Sequence, residues 1–187
     1  MNALEILCRL GALQTGHFRL ASGRHSDKYM QCARLFEHPI ESAELCARLA
    51  YAFKKSNERI DAVAGPAIGG IIMAYEMARV LGVRNIFAER ENGAMTLRRG
   101  FRISLGERVL VVEDVVTTGG SVCEVITLLR GIGAEIIGVG SVVDRSAGTV
   151  EFGVTFHTLV SIDIKSWDKG QCPLCREGKP IVKPGSG

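Results

Sequence analysis

Nothing in the 187 residues approaches the 18 or more consecutive apolar side chains that a membrane-spanning helix needs. The longest apolar run, Ile136 to Val143, is interrupted by Gly138, Gly140 and Ser141. The opening MNALEILCRLGAL carries Glu5 and Arg9 within its apolar stretch and no cleavage-site pattern, so no signal peptide is expected. Charge of one sign is also lacking. The 23 basic and 20 acidic residues leave a net +3, too mild to announce a polyanion binder, and no helix-turn-helix module or basic patch is apparent. There is no GK[ST] of a Walker loop, no G-x-G-x-x-G, no solenoid repeat and no evident interdomain linker. Membrane and nucleic acid are therefore not expected as partners. With 47% hydrophobic and 23% charged residues, wholesale disorder is excluded as well.

Glycine is the residue in excess, 22 of 187, about 12% against a usual 7% or so and without a G-X-Y period. Many backbone positions of special shape are expected. The six cysteines (Cys8, Cys32, Cys46, Cys123, Cys172 and Cys175) are scattered. Cys8, Cys46 and Cys123 fall on expected helix positions that read as buried. A reducing cytoplasm is the expected compartment, with most thiols acting as small apolar side chains.

The spacing of Leu4, Leu7 and Cys8 predicts a first helix ended by Gly11. Residues 16–35 are mixed polar and aromatic, with a turn at Ser22–Gly23, and read as short extended segments of a small lobe. A second helix is expected from Pro39, which suits a first helical turn, to about Lys55. From Asp61 the pattern alternates. A strand at Asp61–Ala64 leads through GPAIGG (65–70) into a helix reaching Leu81 and closed by Gly82. Residues 85–90 read as a strand and 91–100 as a polar, glycine-bounded loop. Val109 to Val112 is a continuous apolar run, suited to a parallel strand covered on both faces. Val122, Val125, Ile126 and Leu129 mark a helix finished by Gly131 and Gly133, and two more strands follow at Ile136–Val143 and 156–163. Such alternation implies an α/β fold, a mostly parallel sheet flanked by helices.

Residues 109–121, VLVVEDVVTTGGS, carry the chemistry. The apolar run delivers Glu113 and Asp114 to the carboxyl end of a strand, where open α/β sheets place their ligands. Thr117-Thr118-Gly119-Gly120-Ser121 then forms a hydroxyl- and glycine-rich turn into a helix, able to aim backbone N–H groups at a phosphate. Ser121 and Glu124 match a capping box. Phosphate-binding and acidic elements side by side suit a sugar phosphate.

This segment resembles the phosphoribosyl pyrophosphate (PRPP) motif of the type I phosphoribosyltransferases over its whole length. GHFRLASGRHSDKY (16–29), GPAIGG and VVDRSAG (142–148) resemble, in order and spacing, the orotate phosphoribosyltransferase family, and the likeness covers about residues 4–165. It implies a single type I phosphoribosyltransferase domain over 1–187, with 1–36 and about 165–187 contributing a small amino-terminal hood and a carboxyl-terminal extension. The implied reaction joins orotate to PRPP, giving orotidine 5′-monophosphate and pyrophosphate in pyrimidine biosynthesis. The alternatives are a transferase for another nucleobase, against which SGRHS and Asp144–Arg145 weigh, and a PRPP-sensing regulator that binds without turnover.

By the same resemblance Glu113, Asp114, Val115, Val116, Thr117, Thr118, Gly119, Gly120 and Ser121 bind the ribose 5-phosphate part of PRPP. The two carboxylates would take the ribose 2- and 3-hydroxyls, directly or through magnesium. Glu113, Asp114 and Arg90 are the implied catalytic residues, the carboxylates stabilising an oxocarbenium-like ring, and Arg99 is added to them as a substitute for charge that the loop lacks. Mg²⁺ is the implied cofactor. It assists the departing pyrophosphate and is held mainly by PRPP and water, so no protein metal ligand is assigned. Arg145 matches the arginine that binds orotate, whose carboxylate suits a guanidinium fork, and Thr117 matches a threonine at the same site. Without the resemblance, a surface ion pair between Arg145 and Asp144 is the plainer reading.

The sequence departs from the family at the loop that closes over pyrophosphate, where an arginine is followed by two lysines and a histidine. Arg90 matches the arginine, but Glu91, Ala94 and Thr96 hold the next positions, and Gly69 stands where many relatives carry lysine. Arg98 and Arg99 are the nearest replacement for the lost charge. Arg90, Arg98 and Arg99 are accordingly expected on pyrophosphate, with the 91–100 loop reaching the neighbouring active site of a homodimer. The plainer alternative is a solvated hairpin with two ordinary arginines. Cys172-Pro-Leu-Cys175 is half of a zinc site with no second pair at ribbon spacing, and the lone His157 is weak support. A structural turn near the dimer interface is the plainer reading, ahead of zinc and of a redox pair. His17, His25 and His38 show no paired ligand spacing, although the resemblance puts His25 in the substrate-proximal lobe.

Overall fold

The computed structural model describes residues 1–56 and 58–184. In chain order the elements are α1 (Ala3–Arg9), β1 (Leu13–Arg19), β2 (His25–Met30), α2 (Pro39–Lys54), β3 (Ala62–Pro66), α3 (Gly69–Leu81), β4 (Arg84–Glu91), β5 (Ala94–Leu97), β6 (Arg108–Val116), α4 (Gly120–Ile132), β7 (Glu135–Asp144), β8 (Phe156–Ser161), β9 (Ser166–Trp167) and α5 (Pro173–Arg176). Two compact units result. His38–Ile162 forms the larger; Met1–Glu37 and the described part of Asp163–Gly187 form the smaller.

The larger unit is an α/β sheet of six strands in the order β5-β4-β3-β6-β7-β8. All neighbours are parallel except β5, which runs antiparallel at one edge. Val109 to Val112 of β6 are fully buried, because helices cover both faces. On one side Val109 and Val111 join Val122, Val125, Ile126 and Leu129 of α4 in one apolar cluster. On the other, Val112 with Leu49 and Phe53 of α2 surrounds Gly140. Each fully buried aliphatic side chain contributes about 1.5–3 kcal/mol, so this double cover fixes the central strand firmly.

β3 and β6 pair only from Ala62↔Val109 to Ala64↔Val111, although both strands continue. The chain leaves β3 through α3 to β4 on one side and leaves β6 through α4 to β7 on the other. A crevice therefore opens at the carboxyl ends of β3 and β6, where the strand order reverses. Open α/β sheets bind their ligands at such points.

Several expectations are corrected. Residues 91–100 are not an open loop: β5 pairs with β4 from Glu91↔Ala94 to Ala88↔Leu97. Asn92 (φ 52°) and Gly93 (φ 85°) form the two-residue turn, and Asn-Gly is the dipeptide that a tight hairpin with two positive φ angles favours. Met95 and Leu97 then pack against the core. The capping box at α4 does not form. Gly119 holds the N-cap position in a left-handed conformation without a side-chain bond, and Glu124 pairs with Arg90 instead. The capping box occurs at α1, between Asn2 and Glu5. Cys8 and Cys123 are exposed while Cys46 is buried. The buried stripe of α1 runs through Ala3, Ile6 and Leu7, one position away from the expected face.

The smaller unit bears a three-stranded antiparallel sheet, β1-β2-β9. A bulge between Thr15 and Phe18 shifts the register of β1 on β2. As a result His17 and Phe18, consecutive in sequence, are both buried.

Candidate active site

All of the expected PRPP and orotate residues lie in the larger unit; Arg90, Glu113 to Ser121 and Arg145 are at the carboxyl ends of its parallel strands, whereas Arg98 and Arg99 follow the antiparallel β5, opposite the middle of β4. β6 carries Glu113 to Val116 past the end of its pairing with β3, and Thr117 to Gly119 turn the chain into α4. A small cavity of about 40 Å³ is lined by Glu113, Val115, Val116, Thr117, Gly119 and Ser121. Gly119 is required there on two counts: its φ is +74°, and a Cβ would press on Val150 at 2.6 Å.

Glu113 and Asp114 are half-buried neighbours at the end of β6. Burial pushes the Glu113 carboxyl up to about 9, with the neighbouring Asp114 adding to the effect. Burial raises Asp114 too. The pair therefore retains a proton at neutral pH. Cations or hydroxyl donors brought into the crevice would relieve it. Asp114 Oδ1 also accepts the Val115 N–H at 2.9 Å, and its carboxylate fills the space beside Gly69 at the start of α3. Below this, Gly65 at the end of β3 lies so close to the Gly70 carbonyl that neither strand nor helix leaves room for a Cβ. The peptide between Ala67 and Ile68 in this turn is cis.

Arg145 follows β7. Its N–H donates to the Val116 carbonyl at 2.8 Å, which ties its backbone to the end of β6. Asp144 is only 5% exposed, and its Oδ1 accepts the Ser146 N–H at 2.7 Å. Asp144 thus shapes the turn from inside rather than standing at the surface.

The arginines of the hairpin all have carboxylate neighbours. Arg90 donates to the Gly93 carbonyl at 3.0 Å and to Glu124 Oε1 at 2.7 Å. Arg99 forks onto Glu89 at 3.0 and 3.1 Å, and Arg98 lies 3.4 Å from Glu91 and 4.0 Å from Glu89. Hydrogen bonds from Arg99 hold the Glu89 carboxyl below its usual range, and the carboxylates raise Arg90 and Arg99. Such exposed pairs are individually weak, so the guanidiniums can exchange partners for phosphate oxygens. Six arginines between 84 and 108 outnumber the acids there, but part of that charge serves elsewhere. A cleft of about 720 Å³ at the opposite, amino ends of the strands holds the Arg84–Glu107 and Arg59–Asp61 pairs.

His157, on β8, packs edge-on against Phe53 with ring centroids 4.9 Å apart and takes no part with the cysteines. Cys172 and Cys175 instead meet His17 and His25 in the smaller unit. The relationships of Gly69 to Asp114 and of the histidines to the cysteines escaped the sequence reading. No local spacing encodes contacts between such distant residues.

The family described as "Phosphoribosyl transferase domain" matches residues 34–173. The orotate phosphoribosyltransferase of Caldanaerobacter subterraneus subsp. tengcongensis is 60% identical over 185 residues, 99% of this chain and 96% of that protein. That of Thermotoga maritima is 54% identical over 182 residues, 97% of this chain and 96% of that one. Among solved structures, the orotate phosphoribosyltransferase of Aeropyrum pernix superposes with a TM-score of 0.70 at 29% identity, over 87% of this chain and 94% of that one.

Proposed function

The chain belongs to the orotate phosphoribosyltransferase family of the phosphoribosyl transferases, and from that premise we infer that it joins orotate to PRPP, releasing orotidine 5′-monophosphate and pyrophosphate. The observation that carries this reading is the half-buried Glu113–Asp114 pair at the strand-order reversal, directly before the Thr117–Gly120 turn. The turn and the first residues of α4 offer backbone N–H groups and hydroxyls to the 5-phosphate. The carboxylates accept hydrogen bonds from the ribose hydroxyls and, as the pyrophosphate bond breaks, stabilise positive charge on the ring. Arg145, with its backbone fixed to β6, receives the orotate carboxylate, and Thr117 lies at the same end of the sheet.

Magnesium fits this donor set: two half-buried carboxyls with hard oxygens and an excess of acid charge to neutralise. Glu113 and Asp114 would hold it together with PRPP oxygens and water, and it would offset charge growing on the pyrophosphate. Arg90, Arg98 and Arg99 leave Glu124, Glu91 and Glu89 for pyrophosphate oxygens. In a homodimer, the β4–β5 hairpin would reach the neighbouring crevice. A cytoplasmic enzyme accords with six cysteines that form no disulfide among the described residues. No described helix is long and apolar enough to cross a membrane.

Orotate depletion with PRPP and magnesium tests the reading. Loss of orotate with matching formation of orotidine 5′-monophosphate supports it. PRPP turnover only with another base, or binding of PRPP without turnover, overturns it.

A further inference from the structure

Four potential ligands from three elements and a turn converge in the smaller unit. His17 lies on β1 beside the bulge, His25 opens β2, Cys172 caps α5 and Cys175 lies within it. His17 Nε2 is 3.0 Å from His25 Nδ1, 3.5 Å from Cys172 Sγ and 3.7 Å from Cys175 Sγ. Cys175 Sγ is 3.2 Å from His25 Nδ1, and all four atoms lie within 4.8 Å of one another. His17, His25 and Cys172 are buried. We propose that His17, His25, Cys172 and Cys175 form a structural zinc site that fastens the carboxyl-terminal segment to the β1–β2 hairpin.

The spacing suits four ligands around one ion. Zinc bonds of about 2.0–2.1 Å to nitrogen and about 2.3 Å to sulfur imply ligand separations of roughly 3.3 Å between nitrogens and 3.6 Å between nitrogen and sulfur. The four edges that join a histidine nitrogen to its neighbours in the cluster, 3.0, 3.5, 3.7 and 3.2 Å, lie within about 0.4 Å of these values, and no pair of ligand atoms is more than 4.8 Å apart. The tautomer of His17 is also set for ligation. Its Nδ1 lies 2.9 Å from the Lys179 carbonyl, which can only accept, so Nδ1 carries the proton and Nε2 turns a lone pair inward. An imidazole oriented by a backbone carbonyl through its other nitrogen is the usual support of a zinc-bound histidine. Within the cluster, a His25 N–H directed at His17 Nε2 satisfies one contact. A cation satisfies all of them.

Charge and softness select the ion. Two thiolates and two neutral imidazoles cancel the charge of a divalent cation, which makes the site tolerable where it is buried. A mixed sulfur and nitrogen set of four favours zinc over magnesium or calcium. Binding releases the two thiol protons of Cys172 and Cys175 to solvent, with no change in oxidation state. All four ligands come from the protein, so the site is closed and serves the fold. The unit needs such a fastening because two short stretches at opposite ends of the sequence build it. Its other ties include the N–H of Arg19 to the Val182 carbonyl, the N–H of Val182 to the His17 carbonyl, and the short β2–β9 pairing.

Metal analysis of untagged protein, purified without chelator, tests the proposal. About one zinc per chain is expected, together with a tetrahedral cobalt spectrum with thiolate-to-cobalt charge transfer after exchange. Cys172→Ser with Cys175→Ser should lose at least nine-tenths of the zinc and lower Tm by on the order of 10 °C. Should that variant fail to fold, mercurial titration of a Cys8→Ser, Cys123→Ser protein settles the matter, because these exposed thiols are outside the cluster. Zinc release in step with two thiols is then expected. Metal-free protein that takes up no zinc, a Cys172–Cys175 disulfide, or bound iron in place of zinc would each overturn the assignment.

Discussion

A Cβ on Gly69 would lie 2.5 Å from Oδ2 of Asp114 and 2.7 Å from its Cγ. The carboxylate of β6 thus occupies the space that a side chain at the start of α3 would need. This contact gives a physical reason for glycine at a position where the family resemblance leads one to expect lysine. Asp114 is a short side chain, already bonded to the Val115 N–H, and on the proposed role it would have to move away from the ribose to make room. Gly69→Ala should therefore lower kcat/KM for PRPP by about 10–100-fold, since displacements near 1 Å cost that order. Steady-state kinetics with PRPP varied at saturating orotate checks this. An unchanged constant would show that Asp114 moves freely.

The shared proton of the acid pair makes the ligand-free protein sensitive to alkali. A carboxyl raised from 4.5 in the unfolded chain to about 9 in the fold stabilises the fold fully below the lower value. That contribution disappears as pH climbs towards the higher one. The slope is at most about 1.4 kcal/mol per pH unit. Tm of the ligand-free enzyme should fall steadily between pH 5.5 and 9, and Glu113→Gln should flatten the curve. Parallel curves for the two proteins would show that Glu113 does not retain the proton.

Arg98→Ala with Arg99→Ala separates a pyrophosphate clamp from a decorated hairpin. The β4–β5 pairing is made by the backbone from Glu91↔Ala94 to Ala88↔Leu97, so it should survive the loss of both side chains. If they exchange that carboxylate for the leaving group, kcat should drop by about 10²–10³-fold while orotate binding changes little. Turnover equal to the parent protein would assign the pair to the hairpin alone.

Much of this arrangement was legible in the sequence because it is local. The apolar run at Val109–Val112 could only be a strand covered twice, and β6 extends it to the acid pair. Gly82 closes α3 with φ 73°, as its position after Leu81 predicts. Local rules also misled. Ser121 and Glu124 have capping-box spacing, yet Gly119 turns the chain into α4 in a left-handed conformation, and the carboxylate finds Arg90 across the hairpin. Polarity made 91–100 read as a loop although Asn92-Gly93 carries a hairpin signal. The contacts that no periodicity reports join distant residues: Gly69 with Asp114, and His17 with Cys172 and Cys175.

Arg145 is the remaining discriminator, since the proposed reading gives it the carboxylate of the base. Its backbone N–H is held by the Val116 carbonyl and the turn after it by buried Asp144, so truncating its side chain should leave the backbone in place. Arg145→Ala should raise KM for orotate by about 10–100-fold, the loss of a charge-assisted hydrogen-bonded pair, with a much smaller change in KM for PRPP. Arg145→Lys should recover only part of the loss, because an ammonium replaces the charge but not the planar fork that matches a carboxylate. Equal effects on both substrates would mean that Arg145 supports the PRPP turn rather than the base. Full recovery by lysine would mean that charge alone is recognised.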